Sequence, residues 1–180
     1  MLDIDVEVTN RSNGSVVYRI PEKNLRREFH PHETKTLSSK EIAEVVAQPG
    51  GRELLYHYLL IQNQEVIRDI LNVQEQPEYW LTEEKIAGGW LNSCTLDEFK
   101  DALDFAPEGV IDLIKKYAVS LPLNDVLKRQ AILDQLNFNV NVAIENSKEE
   151  IAAAAQDTTQ RRTSPAYKPV LQRRTEVAGE

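Results

Sequence analysis

The side chains that could do chemistry in this sequence are few and scattered. Cys94 is the single cysteine. With His57 as base and Asp97 as orienter it would make a thiol-nucleophile set, because thiol catalysis needs a neighbouring base to generate thiolate. Nothing in the spacing brings the three together, and a lone cysteine ahead of a capped helix reads as a small buried residue. His30-Pro31-His32 offers two imidazoles to a metal, with Glu33 as an added oxygen. Zinc sites draw three or four ligands from converging elements. His57 is the one further histidine and no CxxC or HExxH spacing occurs, so the segment reads as a turn with two solvated imidazoles. Pro49-Gly50-Gly51 lacks the lysine and the flanking strand of a phosphate loop and reads as a helix stop. Lys128 and Arg129 would lie on the recognition helix of a helix-turn-helix, but Asp125 and Asp134 share that segment and leave too little positive charge to hold phosphates. The expectation is a protein that is not an enzyme, with no catalytic, metal or cofactor site.

Two features are suited instead to a protein partner. Arg26, Arg27 and Phe29 fall on a short strand at the edge of a small sheet, where free backbone groups can pair with another chain and arginine beside an aromatic is common at interfaces. The same strand reads equally as a solvated one that covers the core with Phe29. The C-terminal segment sets Arg161, Arg162, Tyr167, Lys168, Arg173 and Arg174 among Pro165 and Pro169, a composition that orders on binding along an acidic surface or stays a solubilising end.

The elements that must carry these residues follow from periodicity. Ile4, Val6 and Val8 alternate with polar residues as in a strand, and Asn13-Gly14 predicts a tight hairpin turn into a second strand at Val16 to Ile20. Leu25 to Phe29 and Thr34 to Leu37 complete a small, mostly antiparallel sheet. Ser38 with Glu41 forms a capping-box pattern before a helix that ends near Gln48. Leu54, Leu55, Tyr58, Leu59 and Ile61 line a second helix, and Val66, Ile67, Ile70 and Leu71 a third from about Asn63. Tyr79-Trp80-Leu81 reads as an extended piece or an aromatic plug, Thr82 as the cap of a short helix, and Gly88-Gly89 as a pair that weakens or ends it. Thr95 and Glu98 form a second capping box.

The helical core centres on Leu103 to Asp125, where Val110, Leu113, Ile114, Tyr117, Ala118 and Leu121 make one apolar stripe. Pro107 suits the first helical position, Phe105 is placed to staple onto Val110, Asp112 and Lys116 are spaced for an i,i+4 pair, and Pro122 should stop the helix. A helix through Val126, Leu127, Ala131, Leu133 and Leu136 and a last one from about Val140 to Ala155 complete the set. The fold class is α+β: a β module over residues 1–37, a helical domain over 38–156 packed with it, and an extended or disordered basic tail over 157–180.

Charge divides along the same lines. Residues 38–156 carry twenty acidic and ten basic side chains, whereas residues 157–180 carry three and five. A net charge of −8 argues against general nucleic-acid binding. No apolar run is long enough for a bilayer, the acidic N-terminus is unlike a secretion signal, and one cysteine closes no internal disulfide, so a soluble protein made in the cytoplasm is expected, with no membrane partner.

The run VEVTNRSNGSVVYRIPEKNLRREFHPHETKTLSSKEIAEV, followed by PGG and then LDFAPEGVIDLIKKYAVSLPLND, resembles small virion and assembly proteins of tailed bacteriophages across most of residues 4 to 145. The resemblance implies a non-enzymatic structural or assembly role in head, connector or tail, with other copies of itself or other virion proteins as partners, in the virion or in host cytoplasm during assembly. The alternative is an intracellular phage or bacterial adaptor or regulator that binds a protein or DNA.

Overall fold

The computed structural model describes residues 3–74, 76–121 and 123–163. A small antiparallel sheet at the N-terminus is followed by a mostly helical body. Two compact units divide the chain, Met1–Ile144 and Glu145–Glu180.

Strand β1 (Asp5–Asn10) buries Val6, Val8 and Asn10 and turns Glu7 outward, as its alternation requires. Its neighbours are not the expected ones. β1 pairs antiparallel with β4 (Thr34–Ser38) on one side and β5 (Leu59–Ile61) on the other, while β2 (Val16–Ile20) pairs with β3 (Leu25–Phe29) in a separate two-stranded ribbon. The hairpin is therefore β2–β3, turned by Pro21–Lys23 and by Asn24 in the left-handed region. Asn13-Gly14 makes no hairpin, because Asn10 redirects the chain first. Its buried amide donates to the carbonyls of Gly14, Phe29 and His30, and its oxygen accepts from the N–H and hydroxyl of Ser12. A short polar side chain bonding the backbone just ahead of it competes with strand continuation.

Helix α1 (Ser39–Ala47) starts on the Ser38 hydroxyl, which accepts from Glu41 N–H. Gly50, at φ 73°, makes the left-handed stop, and helix α2 (Gly51–Tyr58) follows. The chain then leaves the helix at Leu59. Leu59, Leu60 and Ile61 are all buried and fill the open edge of β1, so residues whose spacing fits a helix are claimed by a sheet that needs a third strand. Asn63 caps α3 (Gln64–Val66), which continues as the wider turns of Ile67–Leu71.

Tyr79, fully buried within the single turn Pro77–Trp80, is the aromatic plug. Next come α4 (Glu83–Lys85), a wide-turn segment Ile86–Trp90 kinked at Gly89, and α5 (Leu91–Ser93). Thr95 and Glu98 complete a reciprocal capping box for α6 (Leu96–Phe105).

Helix α7 (Glu108–Ser120) buries Val110, Leu113, Ile114 and Ala118 as its stripe predicts. Pro107 stands at the N-cap, one place before the expected position. Phe105 is 65% exposed and staples nothing, and Leu121 is also exposed. Lys116 pairs with Glu83 rather than Asp112, whose neighbour is Lys115. Pro122 lies outside the described residues.

Helix α8 (Val126–Leu136), capped by Asp125, buries Ala131 and packs Leu136 against the core as expected, but its first turn is rotated: Val126 and Leu127 are 75% and 63% exposed, and Lys128 and Ile132 are buried. Helix α9 (Val140–Thr163) continues past Ala155, so Arg161 and Arg162 lie on a helix rather than an extended segment.

Two apolar clusters result. One joins the sheets to α1, α2 and the segment after Asn63, from Val6 to Tyr79; the other joins the later helices, from Leu81 to Val140. Among the described residues, no helix is long and apolar enough to cross a membrane.

Candidate functional site

The two clusters meet along a seam fastened at two places. The first fastening starts at Arg11, just after β1. Its backbone N–H donates to Tyr58 O, its guanidinium lies 4.4 Å from the centre of the Tyr79 ring, and its Nη1 donates to Tyr79 O at 2.9 Å. The N-terminus of α7 closes over its stem, and Glu108 N–H donates to His57 Nδ1 at 3.2 Å. Arg11 is 5% exposed, and burial pulls its guanidinium down to about 10, still charged at neutral pH.

The second fastening converges on Glu83. His32, held at φ 61° in the turn before β4, places Nδ1 2.7 Å from the Glu83 carboxylate, which also receives Lys116 Nζ at 3.0 Å and the Tyr117 hydroxyl at 2.8 Å. Burial pushes the Glu83 carboxyl up, but the hydrogen bonds from Lys116 and Tyr117 outweigh it and hold it below its ordinary value. The hydrogen bond to Glu83, with burial, raises the Tyr117 phenol.

Both fastenings line one cavity of about 280 Å³ between the sheet face and the helices. Glu7, Thr9, Arg11, His32, Thr34 and Gln62 contribute from the sheet side, and Leu81, Glu83, Glu84 and Leu113 from the helical side. A cavity of mixed lining, with a buried cation and a cluster of titratable groups, is where a ligand would be sought. No local motif marks it. The one legible trace is Arg11 itself, a charge placed directly after a buried strand end.

The expected partner-binding residues are distributed differently. Arg26 is exposed and pairs with Glu28 at 2.9 Å, opposite the equally exposed Arg19 across the ribbon. Arg27, half-buried, is engaged within the chain: its Nε and Nη2 fork onto the two oxygens of Glu41 at 3.0 and 3.1 Å, and that carboxylate also accepts from the Tyr18 hydroxyl. Phe29 is wholly buried against Tyr18, so its side chain serves the core. Arg161 and Arg162 lie on α9. Tyr167, Lys168, Arg173 and Arg174 lie outside the described residues.

The chemical groups singled out first are also separated. Cys94 is buried against Lys128, whose Nζ lies 3.5 Å from Sγ and donates to Leu91 O and Cys94 O at 2.7 Å each. Burial raises the thiol despite that ammonium. His57 faces Glu53 and Glu108, and Asp97 is exposed in the first turn of α6. Lys128, 2% exposed, is unable to read phosphates, and Arg129 is bonded to Leu123 O and Asn141. Among the described residues no group of three or more His, Cys, Asp or Glu side chains is placed to hold a metal ion. No protein-family model, curated protein or solved structure matches the chain.

Proposed function

We propose that the chain is a multi-copy, non-enzymatic structural or assembly protein of a tailed-phage particle, contacting its neighbours through the β2–β3 ribbon and the basic C-terminal segment. The observation that carries the reading is the division of charge: ten excess negative charges over residues 38–156 against two excess positive over 157–180. Copies of such a chain are complementary end to body, and electrostatic complementarity steers association and register. The sequence resemblance to virion and assembly proteins points the same way.

Two features of the ribbon support it. Arg19 and Arg26 oppose each other on its outer face, where like charges cost stability that the Arg26–Glu28 pair offsets only in part, and both are exposed to an acidic neighbour. Among the described residues no strand pairs with the outer edge of β2 or β3.

Removing residues 164–180, which leaves α9 whole, together with R161A and R162A, tests the reading. The variant is expected to keep the wild-type circular dichroism spectrum and to lose salt-sensitive self-association or incorporation into particles. Mass spectrometry of purified particles gives the second measurement. A chain absent from them, or a variant that assembles as the wild type does, would overturn the proposal.

A further inference from the structure

Two histidines stand on the seam and use the same ring atom in opposite senses. His32 Nδ1 donates to the Glu83 carboxylate at 2.7 Å, a contact that an imidazole keeps when it takes up a second proton. His57 Nδ1 accepts from the N–H of Glu108 at 3.2 Å, and a nitrogen that accepts carries no proton. His57 therefore holds its one proton on Nε2, which faces Glu53 at 3.2 Å. Protonating Nδ1 turns the acceptor into a donor and ends the bond to α7.

That bond serves a helix start with no cap of its own. Pro107 stands at the N-cap of α7 and offers no side-chain acceptor, so the imidazole brought across from α2 takes one of the free N–H groups of the first turn. An imidazolium in its place would face the positive end of a 13-residue helix. The titratable and charged groups around the ring, among the described residues, are Glu53, Tyr56 and Tyr58 on α2, Glu108 on α7, and Arg11, whose stem lies against the same start of α7. Glu53 and Glu108 favour the imidazolium and Arg11 opposes it. Glu53 is 71% exposed and Glu108 is exposed too, so solvent screens both carboxylates, and neither restores the lost bond.

We propose that His57 is an acid-released latch: as the neutral Nε2–H tautomer it ties α2 to the start of α7, and proton uptake lets that start loosen over Arg11. Histidine is the side chain suited to such a switch between about pH 5 and pH 8. The latch is independent of the contacts between copies proposed above.

The test is a titration of full-length ¹⁵N-labelled protein from about pH 8 to about pH 5 at constant ionic strength. Long-range ¹H–¹⁵N correlations of the imidazole rings are expected to show the Nε2–H tautomer of His57 at the upper end. As its ring titrates, the Glu108 amide proton should move upfield with the same midpoint, and hydrogen-exchange protection in the first turn of α7 should fall with it. H57N places an amide oxygen near the Nδ1 position and does not titrate, so the Glu108 shift should vanish in it, whereas E53Q should retain the shift. If H57N does not fold, the wild-type tautomer and the shared midpoint decide the matter alone. The proposal is overturned by an Nδ1–H tautomer, by a His57 ring that stays neutral down to about pH 5, or by a Glu108 amide that does not follow the ring. An unchanged response in H57N, or its loss in E53Q, overturns it as well.

Discussion

A Cβ built on Gly109 would stand 2.6 Å from Cγ of Arg11 and 2.9 Å from the His57 carbonyl oxygen, so the two apolar clusters meet where residue 109 has no side chain. The start of α7 rests directly on the Arg11 stem. G109A is expected to cost about 1–3 kcal/mol, the usual cost of forced overpacking, because one of the atoms it meets is backbone. Urea unfolding measures it. G88A is the control: nothing lies within 4 Å of its Cβ, and its midpoint should equal or slightly exceed the wild-type value.

Lys128 donates to two buried carbonyls, at Leu91 and Cys94, that water does not reach through the packed helices. K128M keeps the apolar stem, leaves the Cys94 carbonyl without its donor and leaves the Leu91 carbonyl only the weak Cys94 thiol. A loss of about 1–3 kcal/mol is expected from thermal or urea unfolding, and the exposed K100M should fall within about 0.5 kcal/mol of wild type.

The Arg27–Glu41–Tyr18 cluster ties the ribbon to α1 and makes stability depend on acid. Burial pushes the Glu41 carboxyl up, and the hydrogen bonds from Arg27 and Tyr18 outweigh it, so in the folded protein it lies below its ordinary value of 4.5. A depressed carboxylate stabilises the fold above its unfolded pKa and loses that contribution as pH falls through the folded one. Stability should therefore decline as pH drops below about 4.5, more steeply in the wild type than in E41Q. Urea midpoints measured between neutral and acid pH check the slope. Equal slopes would show that Glu41 takes no part.

The rotation of α8 is tested by a pair of substitutions. I132A removes a fully buried side chain and is expected to cost about 2–5 kcal/mol. L127S, on the exposed face, should change unfolding by no more than about 0.5 kcal/mol. Reversal of the two would mean that α8 turns the face expected from its apolar spacing toward the core.

Much of the local structure was legible in the chain. The reciprocal cap of Thr95 and Glu98, the cap at Ser38, the stop at Gly50 and the stripe of α7 are set by residues within a turn or two of each other, where backbone sterics and local hydrogen bonds decide. The α+β class followed from the change of period from two to nearly four. Tertiary structure alone decided which strands pair, because a strand's alternation describes its faces and says nothing of its neighbours. Asn10 sent the chain away from a β1–β2 hairpin by bonding Phe29 and His30, nineteen and twenty residues on, and Leu59–Ile61 became a strand because β1 had an open edge. Lys128 was misplaced for the same reason, since its burial depends on carbonyls thirty-four and thirty-seven residues away. Apart from Arg11, a charge directly after a buried strand end, the seam cavity has no local signature. Arg11, His32, Glu83 and Lys116 come from four separate segments, and only the packing of helices against sheet gives them a common address.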